Sequence, residues 1–279
     1  MAGAFDSMGY AREAFVEQIY DNSFTDILVK YGQIIQNDRN SLNTSLFGDF
    51  EPIETPKPEF PMVAPWNRLR LLEEEKKLVT VYLSAHPLDP YYMEVNYGCS
   101  CKCGEFDEIK EAGNTYTLGG IVTSVDSGTS QKGAPWLGFT LEDFSGNYTF
   151  KVWGKEVANL KNRVQPNDFI RVKTRVNASF YRPGSLDVKI EDIQFLQDIS
   201  SSTANGVRIY LDRNFAQPDF YSRLMNFDAK ERPGDLYMKI FDRERNQLIN
   251  IHSRKKFPIT KELIQFLDDW GIKYEVINN

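Results

Sequence analysis

The feature that most constrains the fold is a series of five β-strand patterns in residues 115–197, interrupted once by a short helical pattern. Each strand segment is rich in β-branched and aromatic residues and is bounded by turn-forming residues. The predicted strands are Thr115–Val125, Trp136–Leu141, Tyr148–Trp153, Phe169–Ala178 and Leu186–Phe195, and the predicted helix is Lys155–Arg163. The position of the helix, between the third strand and the fourth, leaves few small β folds to choose from.

This order is expected of an OB-fold, a small Greek-key barrel. We therefore predict an OB-fold β-barrel over residues 113–198. Because OB-folds bind oligonucleotides, we expect a nucleic-acid interface among the exposed aromatic and basic side chains of this region.

Aromatic and basic residues of the barrel are the candidate nucleic-acid ligands, since rings stack on bases and cations meet phosphates. The candidates are Lys132, Trp136, Lys151, Arg171, Lys173, Arg175, Phe180 and Tyr181. The first of them and the last two lie in turns that OB-folds use for ligands. Strand alternation places Phe139 on one side with Leu137 and Leu141, so we expect its ring in the core.

Residues 199–279 predict a second compact domain of different type. After a polar spacer the order of elements is β-α-β-β-α-β, which is typical of a split βαβ arrangement. The predicted strands are Val207–Leu211, Asp235–Phe241, Gln247–His252 and Lys273–Ile277, and the predicted helices are Asp219–Phe227 and Thr260–Trp270. We therefore predict a C-terminal α+β domain.

The N-terminal part predicts a helical arm and a linker. Apolar residues recur at helical spacing over residues 10–36, and residues 37–65 then contain five prolines and many polar residues. Proline disfavours both helix and central strand, so we expect an extended linker over residues 41–65. A helical connector over residues 66–112 follows, with its first helix ending at Pro87. The chain as a whole is predicted to be multi-domain.

Composition and charge limit the classes of function that the chain can have. The 279 residues include 33 basic and 39 acidic side chains, and no apolar run approaches the length of a membrane helix. Residues 1–112 carry a net charge of −9, whereas residues 113–198 carry +1 and residues 199–279 carry +2. The acidic balance, which argues against nucleic-acid binding, therefore lies outside the predicted barrel. Three clustered cysteines do not make a disulfide framework, which favours a cytoplasmic protein.

Three short motifs go beyond composition. They are Ala2–Gly9, Tyr82–Asp89 and, within the predicted barrel, Gly119–Val122 followed by Leu141–Gly146. In this order and spacing they resemble the C-terminal third of the alpha subunit of bacterial DNA polymerase III. One departure is Ala85, where that family usually has glycine.

The resemblance implies a role in DNA replication as part of the polymerase holoenzyme. It implies that residues 1–40 are the tail of a helix-hairpin-helix region and that the barrel binds single-stranded template DNA. It further implies that residues 199–279 contact the tau subunit of the clamp loader. The palm carboxylates of the family are absent, so we assign no catalytic residue and no cofactor to this chain.

A further motif lies in the predicted linker, where the resembled family carries its sliding-clamp peptide. Asn43, Leu46 and Phe47 match a Gln-x-x-Leu-Phe pattern with asparagine in place of glutamine. An extended peptide of this type inserts its two apolar side chains into a pocket of the clamp (beta subunit). The alternative is that Leu46 and Phe47 pack the linker onto its own domain.

Two other kinds of site, a zinc site and a hydrolase triad, have only part of the residues that they need. Cys99, Cys101 and Cys103 would share one side of an extended segment, but a zinc site needs a fourth ligand, for which only His86 is near in sequence. We therefore expect free thiols and no metal. Ser84, His86 and Asp89 lack the glycine turn of a hydrolase, so we expect a helix-ending motif. The alternative function is a free-standing OB-fold protein that binds single-stranded DNA or tRNA.

Overall fold

The computed structural model describes residues 5–19, 21–44, 56–131, 133–180, 182–199, 203–212, 215, 217–242 and 244–278. The chain forms two compact units, Met1–Pro87 and Leu88–Asn279. The first unit contains α1 (Arg12–Val16), β1 (Gln18–Ile19), β2 (Asn22–Ser23), α2 (Phe24–Thr44) and α3 (Arg68–Val79).

The single helical pattern predicted over residues 10–36 is two helices in the structure. A tight hairpin formed by β1 and β2 separates α1 from α2. The second helix starts with a capping box: the Asp26 backbone N–H donates to Ser23 Oγ at 3.2 Å, and the Ser23 backbone N–H donates to Asp26 Oδ2 at 3.1 Å. Such reciprocal bonds restart a helix regardless of the apolar spacing. In addition, α2 continues to Thr44, into the segment predicted to be extended.

The core of the first unit is an aromatic cluster. The Phe15 ring stacks on Phe5 with centroids 4.5 Å apart, and the Phe60 ring stacks on Tyr10 at 4.0 Å. Phe24, at the start of α2, meets Phe60 edge-on at 5.0 Å. Phe60 belongs to the predicted proline-rich linker, so part of that segment is packed into a core instead of being a free spacer.

The helix predicted from Trp66 is α3, which begins one residue after Asn67. The Asn67 side chain accepts a hydrogen bond from the Arg70 backbone N–H at 2.8 Å, which is an N-cap. The helix ends at Val79, with Thr80 in the left-handed conformation, and not at Pro87 as predicted.

The second unit contains the predicted five-stranded region. Its elements are α4 (Tyr92–Tyr97), α5 (Phe106–Ile109), β3 (Thr115–Thr129), β4 (Pro135–Glu142), β5 (Asn147–Trp153), α6 (Lys155–Leu160), β6 (Phe169–Ala178), β7 (Leu186–Phe195) and α7 (Leu196–Ile199). The five strands form one antiparallel sheet in the order β5-β4-β3-β6-β7, with a bulge in β3 between Val122 and Ser124. The strand and helix order is therefore that predicted for an OB-fold.

No closed barrel is seen in the described part of the predicted OB-fold region. Within the described residues, no pairing joins the edge strands β5 and β7, so the sheet is open there. Its core is completed by side chains from outside the sheet: Phe106 of α5 and Val157 and Leu160 of α6 are buried among the strand residues. The Phe106 ring meets Tyr116 of β3 and Tyr148 of β5 edge-on.

The C-terminal part has the predicted order of elements. These are β8 (Gly206–Asp212), α8 (Pro218–Met225), β9 (Pro233–Asp242), β10 (Gln247–His252), β11 (Phe257–Pro258), α9 (Lys261–Asp269) and β12 (Lys273–Ile277). The main path of the sheet has the order β10-β9-β8-β12, and β8 and β9 are parallel neighbours. The first βαβ unit is therefore not split by another strand, contrary to the prediction. Both helices bury their apolar residues in one core with β8 and β9.

The predicted connector over residues 66–112 does not form one body. Whereas α3 belongs to the first unit, α4 places Met93 in the core of the C-terminal sheet, and α5 places Phe106 in the core of the five-stranded sheet. Sequence periodicity identifies helices but does not say which core each one joins.

Candidate nucleic-acid interface

The outer surface of the β4–β5 hairpin carries two tryptophans side by side. Trp136 and Trp153 are direct cross-strand partners, and their ring centroids are 6.3 Å apart with a tilt of 46° between the planes. Trp153 is 52% exposed, and Trp136 is half-buried. Two solvent-accessible indoles on neighbouring strands, one half-buried and one exposed, form a stacking surface of the kind that sequence-tolerant single-strand binders use.

A glycine makes room for the Trp136 indole against the backbone. Gly128 on β3 lies directly opposite Trp136, and a Cβ atom built there would be 3.0 Å from the indole nitrogen. At Gly138, on the same strand two residues further, a Cβ atom would be 3.5 Å from the indole ring, an ordinary contact distance. The missing side chain at Gly128 therefore lets the indole ring approach the backbone of β3.

Lys151 adds positive charge beside the tryptophans. It is exposed, lies opposite Gly138, and precedes Trp153 by two residues on the same side of β5. None of the described residues forms an ion pair with Lys151. The pair of rings and the adjacent ammonium group thus offer contacts to a base and to a phosphate within one hairpin.

The core of the sheet behaves as the alternation predicts. Phe139 is buried and stacks on Phe150 of the next strand, with ring centroids 5.0 Å apart. Leu137 and Leu141 are buried on the same side. The Phe139 and Phe150 rings are therefore inaccessible to a nucleic acid. The prediction that Phe139 belongs to the core is confirmed.

The three basic candidates on β6 lie apart from the tryptophans. Arg171 pairs with Gly119 in the first half of β3, whereas Lys151 is level with Asp126 in the second half. Seven residues of strand separate these positions, roughly 20 Å along the chain. The structure therefore does not bring all the predicted ligands into one site.

Two of the β6 cations also have partners on β7. Arg171 donates to the Gln194 side chain at 2.5 Å, and Lys173 forms an ion pair with Glu191 of β7 at 3.4 Å. Together with Asp192 they line a shallow cavity of about 300 Å³ whose acids oppose phosphate binding. Arg175 is exposed further along the strand.

Loop candidates give a mixed outcome. Phe180, in the β6–β7 hairpin, is 90% exposed. The turn before β4 is fixed by a hydrogen bond from the Ser130 backbone N–H to the Ala134 carbonyl at 2.8 Å. Lys132, within that turn, and Tyr181 lie outside the described residues.

Trp153 is the residue that the predicted ligand set omitted. The signal was present in the sequence, because the short turn over residues 142–147 fixes the register of the hairpin and thereby pairs Trp153 with Trp136.

The clamp motif falls largely beyond what the structure describes: the backbone of Asn43 belongs to α2, and Leu46 and Phe47 lie outside the described residues.

The cysteines are packed thiols. Burial raises the pKa of Cys99 to about 12 and that of Cys101 to about 11, and it also raises the pKa of Cys103. Within the described ranges, no three His, Cys, Asp or Glu residues are grouped as metal ligands. These thiols are poor nucleophiles, because the thiolate is disfavoured by burial.

Ser84 does not serve a histidine. Its hydroxyl group donates to Glu75 Oε1 at 2.5 Å, and its backbone N–H donates to Glu75 Oε2 at 3.0 Å. These bonds give the serine a structural role at the end of the first unit.

In the part of the chain that the structure describes, no helix has the length and apolar character needed to cross a bilayer.

Comparison with known proteins adds to this geometry. Residues 116–196 match a family model described as an OB-fold nucleic acid binding domain (tRNA_anti-codon). The DNA polymerase III subunit alpha of Caulobacter vibrioides is 24% identical over 236 residues, 84% of this chain and 20% of that protein. The corresponding subunit of Pasteurella multocida is 24% identical over 80% of this chain and 19% of its own length.

This chain is similar to DNA polymerase III alpha subunits. The resemblance inferred from the three motifs is thereby confirmed. The chain spans about a fifth of the length of the curated alpha subunits that it matches.

Solved structures that contain single-stranded DNA binding domains match part of this chain. An SSB domain from Synechococcus sp. is 16% identical over 30% of this chain and 98% of its own, with a TM-score of 0.23. The mitochondrial single-stranded DNA binding protein Rim1 from S. cerevisiae is 15% identical over 30% of this chain and 95% of its own, with a TM-score of 0.24. Scores this low do not bear on the function of the chain.

Proposed function

We propose that this chain is a non-catalytic part of a replicative DNA polymerase and that its OB-fold region binds single-stranded template DNA. The observation that carries the proposal is the pair of the half-buried Trp136 and the exposed Trp153 beside Lys151 on the β4–β5 hairpin. The pair lies in the region that matches a nucleic-acid-binding OB-fold model. Similarity to polymerase III alpha subunits supports DNA, and not tRNA, as the ligand.

Fluorescence anisotropy with a labelled oligo-dT tests the DNA contact. Base–aromatic stacking contributes about 1–3 kcal/mol per base, so Trp136→Ala or Trp153→Ala should weaken binding about tenfold. If a few cations contact phosphates, raising the salt concentration from about 50 to about 200 mM should weaken binding by about tenfold. Phe195→Ala, which removes an exposed ring on β7, is the matched control and should bind as the unaltered chain does.

Each result of that titration has a defined meaning. If Phe195→Ala and the tryptophan variants lose the same amount of oligo-dT affinity, the β4–β5 hairpin is not the DNA contact. Displacement of oligo-dT by tRNA at lower concentration than by unlabelled DNA would favour the alternative, a free-standing OB-fold protein that binds tRNA. No binding at low salt would contradict the proposal altogether.

The proposed polymerase part would also meet the sliding clamp through Asn43, Leu46 and Phe47. The motif begins at Asn43 near the end of α2, and its two adjacent apolar residues suit a clamp pocket. Replacing Leu46 and Phe47 together by alanine should abolish capture by immobilised clamp from the same organism. Replacing Leu28 and Val29, an exposed apolar pair on α2, is the matched control and should leave capture intact. If the immobilised clamp still captures the Leu46/Phe47 variant as well as the unaltered chain, the proposed clamp contact is wrong.

The contact with the clamp loader is assigned to residues 199–279. Its support is the similarity to polymerase III alpha subunits, together with the separate α+β core that this region forms. The proposal therefore gives the chain three partners: single-stranded DNA, the sliding clamp and the tau subunit of the clamp loader, within the rest of the holoenzyme.

A further inference from the structure

Strand β10 is an edge strand whose composition differs from that of the other edges. Among the described residues it pairs only with β9, so alternate backbone N–H and C=O groups along its other side have no strand partner there. None of its six residues, Gln247–His252, is an acid, a lysine or an arginine. Proteins usually protect such an edge with charged side chains.

The other long edges in the described part of the chain follow that rule. The opposite edge of the same sheet, β12, carries Lys273 and Glu275. In the five-stranded sheet, the edge β5 carries Lys151, and the edge β7 carries four charged residues. The lack of protection at β10 is therefore a local property and not a general one.

Both sides of β10 expose apolar side chains. Leu248 is 52% exposed and pairs with Phe241 on the side of the sheet that the helices leave open. Ile249 and Ile251 are 46% and 39% exposed, although they pair with Ile240 and Met238 on the side that contacts the helices. An added strand would therefore find apolar surface above and below its backbone.

Positive charge flanks this apolar edge. Residues 243–256 contain five basic residues and one acidic residue, a net charge of +4, and of the basic residues Lys256 is paired with Asp235 of β9 at 2.8 Å. Arg245 in the turn before β10 and Arg254 after it are exposed, and no described residue forms an ion pair with either. A peptide with an apolar centre and acidic ends would complement both the edge and its flanks.

We propose that β10 binds an extended peptide of a partner protein, with an apolar core and acidic flanks, which adds to the sheet as a further strand. Backbone hydrogen bonds would provide affinity, and Leu248, Ile249 and Ile251 would recognise alternate side chains. A second copy of this chain is a poorer occupant, because antiparallel pairing of two β10 strands brings like-charged flanks together. A nucleic acid is also a poorer one, since β10 offers no phenylalanine, tyrosine or tryptophan ring for stacking. The inference goes beyond the proposed DNA and clamp contacts, neither of which involves β10. Although β10 lies within residues 199–279, to which the clamp-loader contact is assigned, the inference depends on this edge strand and not on that assignment.

The test uses the full chain and a blocked, fluorescein-labelled peptide with a six-residue alternating valine–threonine core and three glutamates at each end. Anisotropy should show saturable binding, and hydrogen exchange should show added protection of β10 amides. Ile249→Lys, which places a charge on the edge, should weaken binding at least tenfold, as should Arg245→Glu combined with Arg254→Glu. Thr149→Lys, on the exposed side of the edge strand β5, is the matched control and should leave binding unchanged.

Peptide variants complete the design. Prolines at every second core position remove the backbone donors, and lysines at the ends reverse the charge, so each change should abolish binding. Absence of binding by the original peptide, or equal loss in Thr149→Lys, would overturn the inference. So would protection of β10 by self-association, or by oligo-dT without peptide. Oligo-dT affinity measured on the same variants separates this result from the proposed DNA contact.

Discussion

A single carboxylate, Glu75, joins the two N-terminal motifs on which the family resemblance rests. Arg12 donates through Nη1 to Glu75 at 2.6 Å and through Nε and Nη2 to Asp6, which lies in the first motif. Ser84, which lies in the second motif, donates to the same carboxylate. Because the Glu75 side chain is only 2% exposed, its hydrogen bonds are shielded from water. The motifs are therefore parts of one polar network.

We expect the stability of the first unit to depend on pH through Glu75. Burial by itself raises the pKa of this carboxyl group, but hydrogen bonds from Arg12, Ser84 and Leu83 outweigh burial and lower the pKa from 4.5 to about 2. A group with a lower pKa in the folded state contributes stability that is complete above the unfolded-state pKa and is lost as pH falls towards the folded-state pKa. The melting temperature should therefore fall as pH falls from 4.5 towards 2.

Thermal melts of Glu75→Gln check this expectation. The variant should be less stable at neutral pH, by about 3 kcal/mol, because Arg12 loses a buried ionic partner. It should also show a flatter dependence on pH in the acidic range. Glu59→Gln removes an exposed carboxyl group of the same unit and serves as the control. A Glu75→Gln profile parallel to that of the unaltered chain would contradict the assignment.

Among the elements, the short helices α4 and α5 matter more than their length indicates. They lie between two predicted domains in sequence, yet each supplies a side chain to a different core. Met93 is buried in the C-terminal core and Phe106 in the OB-fold core. A buried ion pair between Glu94 and Arg232, at 2.5 Å, also ties α4 to the segment before β9. The segment over residues 88–109 therefore braces the two sheets into one compact unit.

We expect both sheets of the second unit to lose stability when either brace is cut. Phe106→Ala and Met93→Ala should each cost about 3–4 kcal/mol, from lost burial and the cavity left behind. Hydrogen exchange should show reduced protection of both β3 and β8 amides in each variant. Ile109→Ala, at an exposed site of α5, should change stability by less than about 0.5 kcal/mol. Loss of protection confined to β8 in Met93→Ala would show that the sheets unfold independently.

At the scale of the whole molecule, net charge is a poor guide to where a nucleic acid would bind. The OB-fold region carries only +1, and two of its cations, Arg171 and Lys173, already have partners on β7. The candidate interface instead depends on two indoles and one lysine on a hairpin. A charge count over a domain averages paired and unpaired groups, whereas a ligand meets only those left without a partner.

The elements that could be predicted are those with local causes. Alternating apolar residues and short turns located β4, β5, β6 and β7, and apolar spacing located α3, whose first residue the Asn67 cap fixes in the structure. Apolar spacing alone gave the wrong helix boundaries where a second local signal acts on the same residues. The capping box at Ser23 and Asp26 starts a new helix inside a continuous apolar spacing. The extent of α2 to Thr44 shows that polar residues before the prolines still continue a helix.

The sequence by itself determined the order and type of the elements in both sheets, the inward side of β4, and the relationship to polymerase III alpha subunits. These depend on residue periodicity and on short motifs, which are properties of neighbouring residues. Tertiary structure alone decided that the sheet stays open, that β8 and β9 are adjacent, and that α4 and α5 join different cores. It also decided that Trp136 and Trp153 stand apart from the β6 cations. These outcomes depend on contacts between residues far apart in the chain, which compete for the same buried surface and leave no periodic trace.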